Sequence, residues 1–197
     1  MKMLLAVSIF LISTGSLMAE TCEDGDAAHE ARDYAGAVAA YDDCFDANEM
    51  ADPTSYHRRG RSHMKQGAHD LAMADFDQAL ELDEEHAGAL NSRAWLNYLS
   101  EDLEAASADI EAAMGLEPDN ERFLDTYAHI LAASDDPEGA MEAFDVALRN
   151  QSRDGVRKTQ NRLLEAGLDP GPVDGLYGPL TRSALEDCAS QACRLWP

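Results

Sequence analysis

Small and large apolar residues recur along the chain with a period of 34 to 35 residues. Each repeat has an alanine at one fixed position. The residues four and seven positions after this alanine, and the residue twelve positions before it, recur as well. The four sets are Ala37, Ala72, Ala106 and Ala140; Tyr41, Phe76, Ile110 and Phe144; Cys44, Ala79, Ala113 and Ala147; and Gly25, Gly60, Ala94 and Ala128. Small residues let two helix backbones approach closely, and a large one fills the gap between them. The pattern therefore predicts stacked helix pairs, whereas a single bundle with chance periodicity would have to match in every register.

The repeating segments read RDYAGAVAAYDDCFD, GAHDLAMADFDQALELD, EDLEAASADIEAAMGLEP and DDPEGAMEAFDVALRN. They resemble the tetratricopeptide repeat, and Pro118 stands where that family usually closes a repeat. The resemblance implies an all-α solenoid of about four helix-turn-helix repeats, at about residues 20–51, 52–86, 87–120 and 121–151. Repeat solenoids present an extended concave surface, which favours binding of a protein or peptide over catalysis.

The same resemblance implies which residues face a groove, because in these repeats the first helix of each pair lines it. Carried over, the groove positions of the second to fourth repeats are His57, Arg61, Met64 and Lys65; Asn91, Trp95, Tyr98 and Leu99; and Arg122, Asp125 and His129. His57, Arg61 and Lys65 share one helix face in the only basic run of this region, so we expect a carboxylate-bearing segment there. Trp95 and Tyr98 are the expected aromatic anchor. Two alternatives stay open: the basic run forms salt bridges between repeats, and the aromatic residues belong to the core.

After residue 151 the pattern changes to a short amphipathic stretch, a loop rich in proline and glycine, and a second helical stretch. The segment VRKTQNRLLEAGLDPGPVDGLYGPLTRSAL is similar to the helical peptidoglycan-binding module of cell-wall hydrolases and other envelope proteins. The similarity implies a small three-helix domain at residues 152–197, whose last helix begins near Gly178 and Pro179. It also implies peptidoglycan contacts from Gln160, Asp174, Gly175, Tyr177, Gly178, Thr181 and Arg182. Thr159 and Cys188 depart from the family pattern, and a structural cap that ends the solenoid is the alternative role.

Charge divides the chain near Arg149. Between residues 20 and 148, 32 Asp and Glu face 7 Lys and Arg, whereas from Arg149 onward seven basic residues face six acidic ones. The acidic part excludes nucleic acid as a partner, because neutralising phosphates requires a basic face. The C-terminal part, which is not acidic overall, suits a polymer with carboxylate-rich peptide stems, whereas the acidic repeats would repel it.

The first residues predict the compartment. Lys2 precedes the apolar run 4–12, and small and polar residues follow up to Ala19. This pattern is typical of a secretory signal peptide at residues 1–19 and indicates a periplasmic protein. The apolar run is shorter than the roughly 20 residues that a membrane span requires, so no integral membrane segment is expected after cleavage. The residues before Cys22 do not form a lipobox.

Four cysteines fall into two local pairs. In an oxidising compartment we expect disulfides between Cys22 and Cys44 and between Cys188 and Cys193. Free buried thiols are the alternative.

No sequence motif of an enzyme active site is present: there is no Gly-x-Ser-x-Gly elbow, zinc-type histidine pair or phosphate-binding glycine loop. His57, His63 and His69 are six residues apart and do not share a helix face, so we expect no metal and no cofactor. The sequence therefore predicts a non-enzymatic cell-envelope adaptor that binds a protein partner through its repeats and peptidoglycan through its C-terminal module. The alternatives are a soluble periplasmic interaction protein whose module is a cap, and an accessory subunit of a cell-wall-active enzyme.

Overall fold

The computed structural model describes residues 20–47 and 52–191. Within these residues the chain forms ten helices and no strand, so the predicted all-α class is confirmed. The helices are α1 (Glu20–Glu30), α2 (Tyr34–Ala47), α3 (Pro53–Lys65), α4 (His69–Leu82), α5 (Ala87–Leu99), α6 (Leu103–Leu116), α7 (Glu121–Ala133), α8 (Pro137–Asn150), α9 (Arg153–Glu165) and α10 (Pro179–Ser190). The first eight helices form four helix-turn-helix pairs, and α9 and α10 form the C-terminal module.

The repeating small residues form the contacts inside each pair. The alanines that mark the pattern are fully buried: Ala37, Ala72, Ala106 and Ala140. Gly60 of α3 lies so close to Phe76 of α4 that a Cβ on Gly60 would be 2.6 Å from Cε1 of the ring. Gly25 and Tyr41 make the same contact in the first pair, where a Cβ would lie 2.8 Å from the ring. The two glycines therefore set how closely the helices of their pairs approach.

The turn inside each pair contains one residue with a positive φ. These residues are 34 to 35 positions apart: Arg32, Gly67, Glu101 and Asp135, with φ of 63°, 75°, 66° and 61°. A side chain disfavours this left-handed conformation, so only the second repeat has the residue that adopts it without strain.

Side-chain caps fix the first helices of the last three pairs. Asp52 begins α3 by accepting a hydrogen bond from the Thr54 amide at 2.9 Å. The His86 imidazole accepts a hydrogen bond from the Ala89 amide at 3.1 Å at the start of α5, and Asn120 caps α7 in the same way. These caps satisfy amides that have no partner within the helix.

Arginines cross-link neighbouring repeats on the α3 and α5 helices. Each arginine bridges an aspartate of its own pair and one of the preceding pair: Arg59 contacts Asp75 and Asp42, and Arg93 contacts Asp109 and Asp77. Arg58 likewise pairs with Asp26 of α1. The alternative of salt bridges between repeats is therefore correct for the Arg58 and Arg59 part of the basic run.

The C-terminal module packs directly on the last helix pair. Only two residues, Gln151 and Ser152, separate α8 from α9. Phe144 and Leu148 of α8 share one buried cluster with Val156 of α9 and with α10. The predicted boundary near residue 151 thus divides two units that share a core.

The module contains two helices within residues 152–191, not the three that were predicted. The segment between α9 and α10 stays non-helical because Gly167, Gly171 and Gly175 adopt positive φ and two prolines fall among them. The predicted start of the last helix is confirmed, since α10 begins at Pro179.

The predicted disulfide between Cys22 and Cys44 is present and joins α1 to α2, with the two Cα atoms 5.4 Å apart. Cys188 is buried and is not a free thiol. Its predicted partner Cys193 lies outside the described residues, as does the predicted signal peptide at residues 1–19. In the part of the chain that the structure describes, no helix has the length and apolar character needed to cross a bilayer.

Candidate binding groove

The first helices of the last three repeats, α3, α5 and α7, line a groove of about 690 Å³. Nine of the eleven residues predicted to face it do so: His57, Arg61, Met64, Lys65, Asn91, Trp95, Leu99, Arg122 and Asp125. The periodicity of the helices is sufficient to place these residues, because the recurring small residues pack each first helix against its second helix in the same way in successive repeats.

Tyr98 and His129 are the exceptions. Both are buried, at 4% and 1% exposure, and neither lines the groove. The ring centroid of Trp95 lies 5.1 Å from that of Tyr98 and 5.7 Å from that of His129. The prediction that Tyr98 faces the groove was wrong. Leu99, four residues after Trp95, lines the groove, whereas Tyr98, three residues after Trp95, is buried. Tyr98 and His129 instead support the Trp95 ring from behind.

Three cations of the groove have no carboxylate partner. Arg61, Lys65 and Arg122 form no ion pair with any described residue, unlike the arginines that cross-link the repeats. Arg61 is half-buried, and this burial, together with the nearby charges of Arg122 and Arg58, lowers its pKa. An arginine remains protonated at neutral pH even so. The groove therefore holds positive charges that form no ion pair within the described part of the chain.

His57 does not act as a third cation beside Arg61 and Lys65, in contrast to the sequence prediction. Burial, followed by the proximity of His86 and Arg61, lowers the pKa of His57 to about 3. The neutral ring shares a hydrogen bond of 3.0 Å with the Ser92 hydroxyl on the next repeat. His57 thus shapes the groove wall and links two repeats without contributing charge.

The C-terminal module contributes Arg162 to the lining of the groove, which the sequence did not indicate. Gln151 and Arg162 line the groove together with Asp125 of α7. Burial raises the pKa of Asp125 well above its usual value, and the Arg162 guanidinium partly opposes that rise. The side-chain carbonyl oxygens of Asn91 and Gln151 are buried and have no hydrogen-bond partner among the described residues.

Gln160 organises the loop of the C-terminal module. It is 1% exposed, and its Nε2 donates to the carbonyls of Pro172 and Leu176 and to the Thr181 hydroxyl, each at 3.1 Å. Its Oε1 accepts a hydrogen bond of 2.9 Å from the Gly175 amide. The structure thus places two of the predicted peptidoglycan contacts, Gln160 and Thr181, in the interior of the module.

Gly175 and Asp174 shape the same loop. Gly175 has a φ of 76°, and a Cβ there would lie 2.4 Å from the Arg153 carbonyl oxygen, so only glycine fits. Asp174 is exposed and accepts a hydrogen bond of 2.8 Å from the Leu176 amide, which lowers its pKa. Gly178 precedes α10 with extended backbone.

Two other predicted contacts, Tyr177 and Arg182, bind Asp145 of α8. The Tyr177 hydroxyl donates to the Asp145 carboxylate, and Nε of Arg182 lies 3.3 Å from the same group. Burial first, and then Asp145, raises the pKa of Tyr177. These contacts attach the module to the last repeat at the edge of a shallow cavity of about 630 Å³ that also involves Met141 and Glu186.

Solved structures with the same fold include two crystal structures of MamA. The first is 17% identical with a TM-score of 0.59, and the match covers 89% of this chain and 87% of that chain. The second is 18% identical with a TM-score of 0.58, and the match covers 85% and 89% of the two chains. A tetratricopeptide repeat protein from Parabacteroides merdae ATCC 43184 is 18% identical with a TM-score of 0.58, over 76% of this chain and 62% of that chain. At these identities the likeness concerns the fold alone.

Two segments match known families. Residues 53–86, which form α3 and α4, match the tetratricopeptide repeat. Residues 152–188, which form the C-terminal module, match the peptidoglycan binding domain. No curated protein matches the sequence. Both resemblances seen in the sequence are thus confirmed: the chain contains a tetratricopeptide repeat, followed by a segment similar to the peptidoglycan binding domain.

Proposed function

We propose that the protein is a non-enzymatic adaptor of the cell envelope, which holds a protein partner in its groove and contacts peptidoglycan through its C-terminal module. The observation that carries the proposal is the presence, in one chain, of an open groove with cations that form no ion pair among the described residues and a module that matches the peptidoglycan binding domain. The groove extends over three repeats, as expected for an elongated protein segment.

Export to the periplasm is part of the proposal. The sequence of residues 1–19 supports it, because a charged start, an apolar run and small residues are typical of signal peptides. The Cys22–Cys44 disulfide also supports it, since disulfides persist in oxidising compartments.

The surface that we propose for peptidoglycan is the exposed side of the module's loop. Gln160 and Thr181 are buried, but Leu176 and Leu180 are 51% and 59% exposed beside Asp174. Exposed apolar side chains grouped on one loop are typical of a binding surface.

A purely structural role for the module is the second candidate. It is favoured by the core that α8, α9 and α10 share, and by the use of Tyr177 and Arg182 to bind Asp145 rather than solvent. In that case the module ends the solenoid, and the groove carries the whole function.

The groove proposal is tested by site-specific photocrosslinking in cells that export the protein. A photoreactive amino acid at Asn91, in the groove, should capture one or a few envelope proteins. The same amino acid at Leu82, which is 52% exposed and outside the groove, should not capture them. Identical products from both positions would contradict the proposal, and capture of a cell-wall hydrolase would favour the accessory-subunit alternative.

A further inference from the structure

We infer that the groove recognises a peptide segment with a single carboxylate next to a large apolar side chain, and that the carboxylate lies between Arg61 and Arg122. The inference rests on the proposed function of the groove as a protein-binding site. It names the chemistry of the partner rather than the partner itself.

The other arginines of α3 and α5 are paired with aspartates. Arg59 and Arg93 each contact two aspartates, and Arg58 contacts one. Arg61 lies two residues after Arg59 on the same helix and is half-buried, but it forms no ion pair with any described residue. The groove also contains the carboxyl groups of Glu121 and Asp125, and neither of them pairs with Arg61. An arginine that these carboxyl groups leave unpaired is therefore a place for a ligand's carboxylate.

Arg61 and Arg122 come from the second and fourth repeats and line the same groove, where the charge of Arg122 helps to lower the pKa of the half-buried Arg61. Like charges repel each other, and an anion between them removes this penalty. Arginine also offers several N–H groups in a plane, which matches the two oxygens of a carboxylate.

The charge of the surrounding domain limits how acidic the ligand is. The groove lining contains four basic residues, Arg61, Lys65, Arg122 and Arg162, and two acidic ones, Glu121 and Asp125. Outside it the repeats are strongly negative and repel a polyanion. A ligand with one carboxylate is attracted by the cations of the groove and is little repelled by the acidic repeats. A ligand with a run of carboxylates is also attracted by the groove, but the acidic repeats repel it strongly.

The apolar part of the ligand follows from the groove wall beside these cations. Met64, Trp95 and Leu99 line it and are only partly buried. Tyr98 and His129 hold the Trp95 ring in place from behind. A rigidly held indole beside an arginine pair is suited to a large apolar side chain that adjoins the carboxylate.

The experiment uses the chain from Glu20 onward and four pools of short fluorescein-labelled peptides. The pools are random in neutral residues and contain one Glu, one Gln, one Lys or a run of Glu at the centre. Binding is measured by fluorescence polarisation. Free C-terminal carboxylates are compared with amidated ones, which shows whether a side chain or a chain end supplies the carboxylate.

We expect the single-Glu pool to bind about tenfold or more tightly than the single-Gln pool, and the Glu-run pool to bind less tightly than the single-Glu pool. Arg61→Gln and Arg122→Gln should each remove most of the preference for Glu over Gln. Arg157→Gln removes the same charge from an exposed site outside the groove and should leave the preference unchanged. Arg61→Glu should shift the preference toward the Lys pool.

Each other outcome contradicts a defined part of the account. Equal binding of the Glu and Gln pools, or tightest binding of the Lys pool, would overturn the inference but leave the groove a peptide-binding site. Equal losses from Arg61→Gln and Arg157→Gln, with both proteins folded by circular dichroism, would also overturn it. No binding of any pool would contradict the proposed function of the groove as well. Tighter binding of soluble peptidoglycan fragments than of any peptide would assign the groove to the wall polymer.

Discussion

Gly60→Ala should overpack the contact between α3 and α4. A Cβ at this position would lie 2.6 Å and 2.9 Å from two ring carbons of Phe76 and 3.0 Å from Cβ of Asp75. Distances below 3.0 Å require a shift, and Asp75 is held by Arg59 while the Phe76 ring is fully buried. Overpacking of this kind costs about 1–3 kcal/mol, while alanine gains up to about 1 kcal/mol over glycine in a helix.

Gly115→Ala is the matched control, because Gly115 also lies in a helix and a Cβ there would have no neighbour within 4 Å. Gly115 lies in the last turn of α6, where the gain in helix propensity is no larger than at Gly60, so the difference between the variants is a lower bound on the packing cost. We expect Gly60→Ala to be about 1–3 kcal/mol less stable than Gly115→Ala in urea denaturation followed by circular dichroism.

Adding Phe76→Ile to Gly60→Ala should recover part of the loss. The double variant reproduces the pair that the third repeat uses, in which Ala94 and Ile110 are both buried in one cluster. The double variant should therefore be more stable than the sum of the single effects by about 1 kcal/mol. Equal stability of Gly60→Ala and Gly115→Ala, or additive effects in the double variant, would refute this account of how the repeats pack.

Three further predictions concern the turn of the third repeat, the carboxyl group of Asp125 in the groove, and the disulfide. Glu101→Gly should stabilise the chain by up to about 1 kcal/mol in urea denaturation, because the turn holds Glu101 at a φ of 66°, and a loss of stability would contradict the strain. Burial raises the pKa of Asp125, so the stability that this carboxyl contributes is complete below its unfolded pKa of about 4 and is lost as pH rises through the folded value. Asparagine does not titrate, so the free energy of unfolding of Asp125→Asn should rise relative to that of the wild type as pH rises from about 4. The gain is about 1.4 kcal/mol for each unit by which the folded pKa of Asp125 exceeds the unfolded one. A difference in stability that does not change with pH would refute the raised pKa. Replacing Cys22 and Cys44 by serine opens a link between residues 22 positions apart and should cost about 3 kcal/mol, which thermal unfolding in the presence and absence of reductant would check.

Periodicity in the sequence was sufficient to predict the repeats and most of the groove. Gly60 and Phe76 recur in register with their counterparts because every pair has to solve the same packing problem. Spacing of three or four residues placed Arg61 and Trp95 on one side of their helices, but it did not resolve Tyr98 from its neighbour Leu99. When a helix is packed on two sides, two adjacent residues can lie on different sides of it, one in the core and the next in the groove.

Charge state and pairing could not be predicted from local sequence. Arg59 and Arg61 look alike in the basic run, yet only Arg59 faces the aspartates of neighbouring helices. His57 also looks like a cation, but burial among other positive groups keeps it neutral. These properties depend on what surrounds a side chain in space, which a pattern along one helix does not report.

The contacts that the C-terminal module makes with the repeats could not be predicted from local sequence either. The motif identified the loop correctly, but no pattern along the chain indicated that Tyr177 and Arg182 contact Asp145, which lies 32 and 37 residues away. Nor did it show that Arg162 reaches the groove of the repeats. Both facts follow from the docking of one unit on the other, for which the sequence contains no periodic signal.

Attachment to peptidoglycan is tested most directly by co-sedimentation of the intact chain with purified sacculi. The wild type is compared with Leu180→Glu, which places a charge on the exposed loop surface, and with Leu82→Glu, which makes the same change at an exposed site in the repeats. We expect the wild type and Leu82→Glu to pellet with sacculi and Leu180→Glu to stay in solution. Absence of pelleting by the folded wild type, or equal pelleting of all three proteins, would contradict wall binding through this surface and favour the module as a cap.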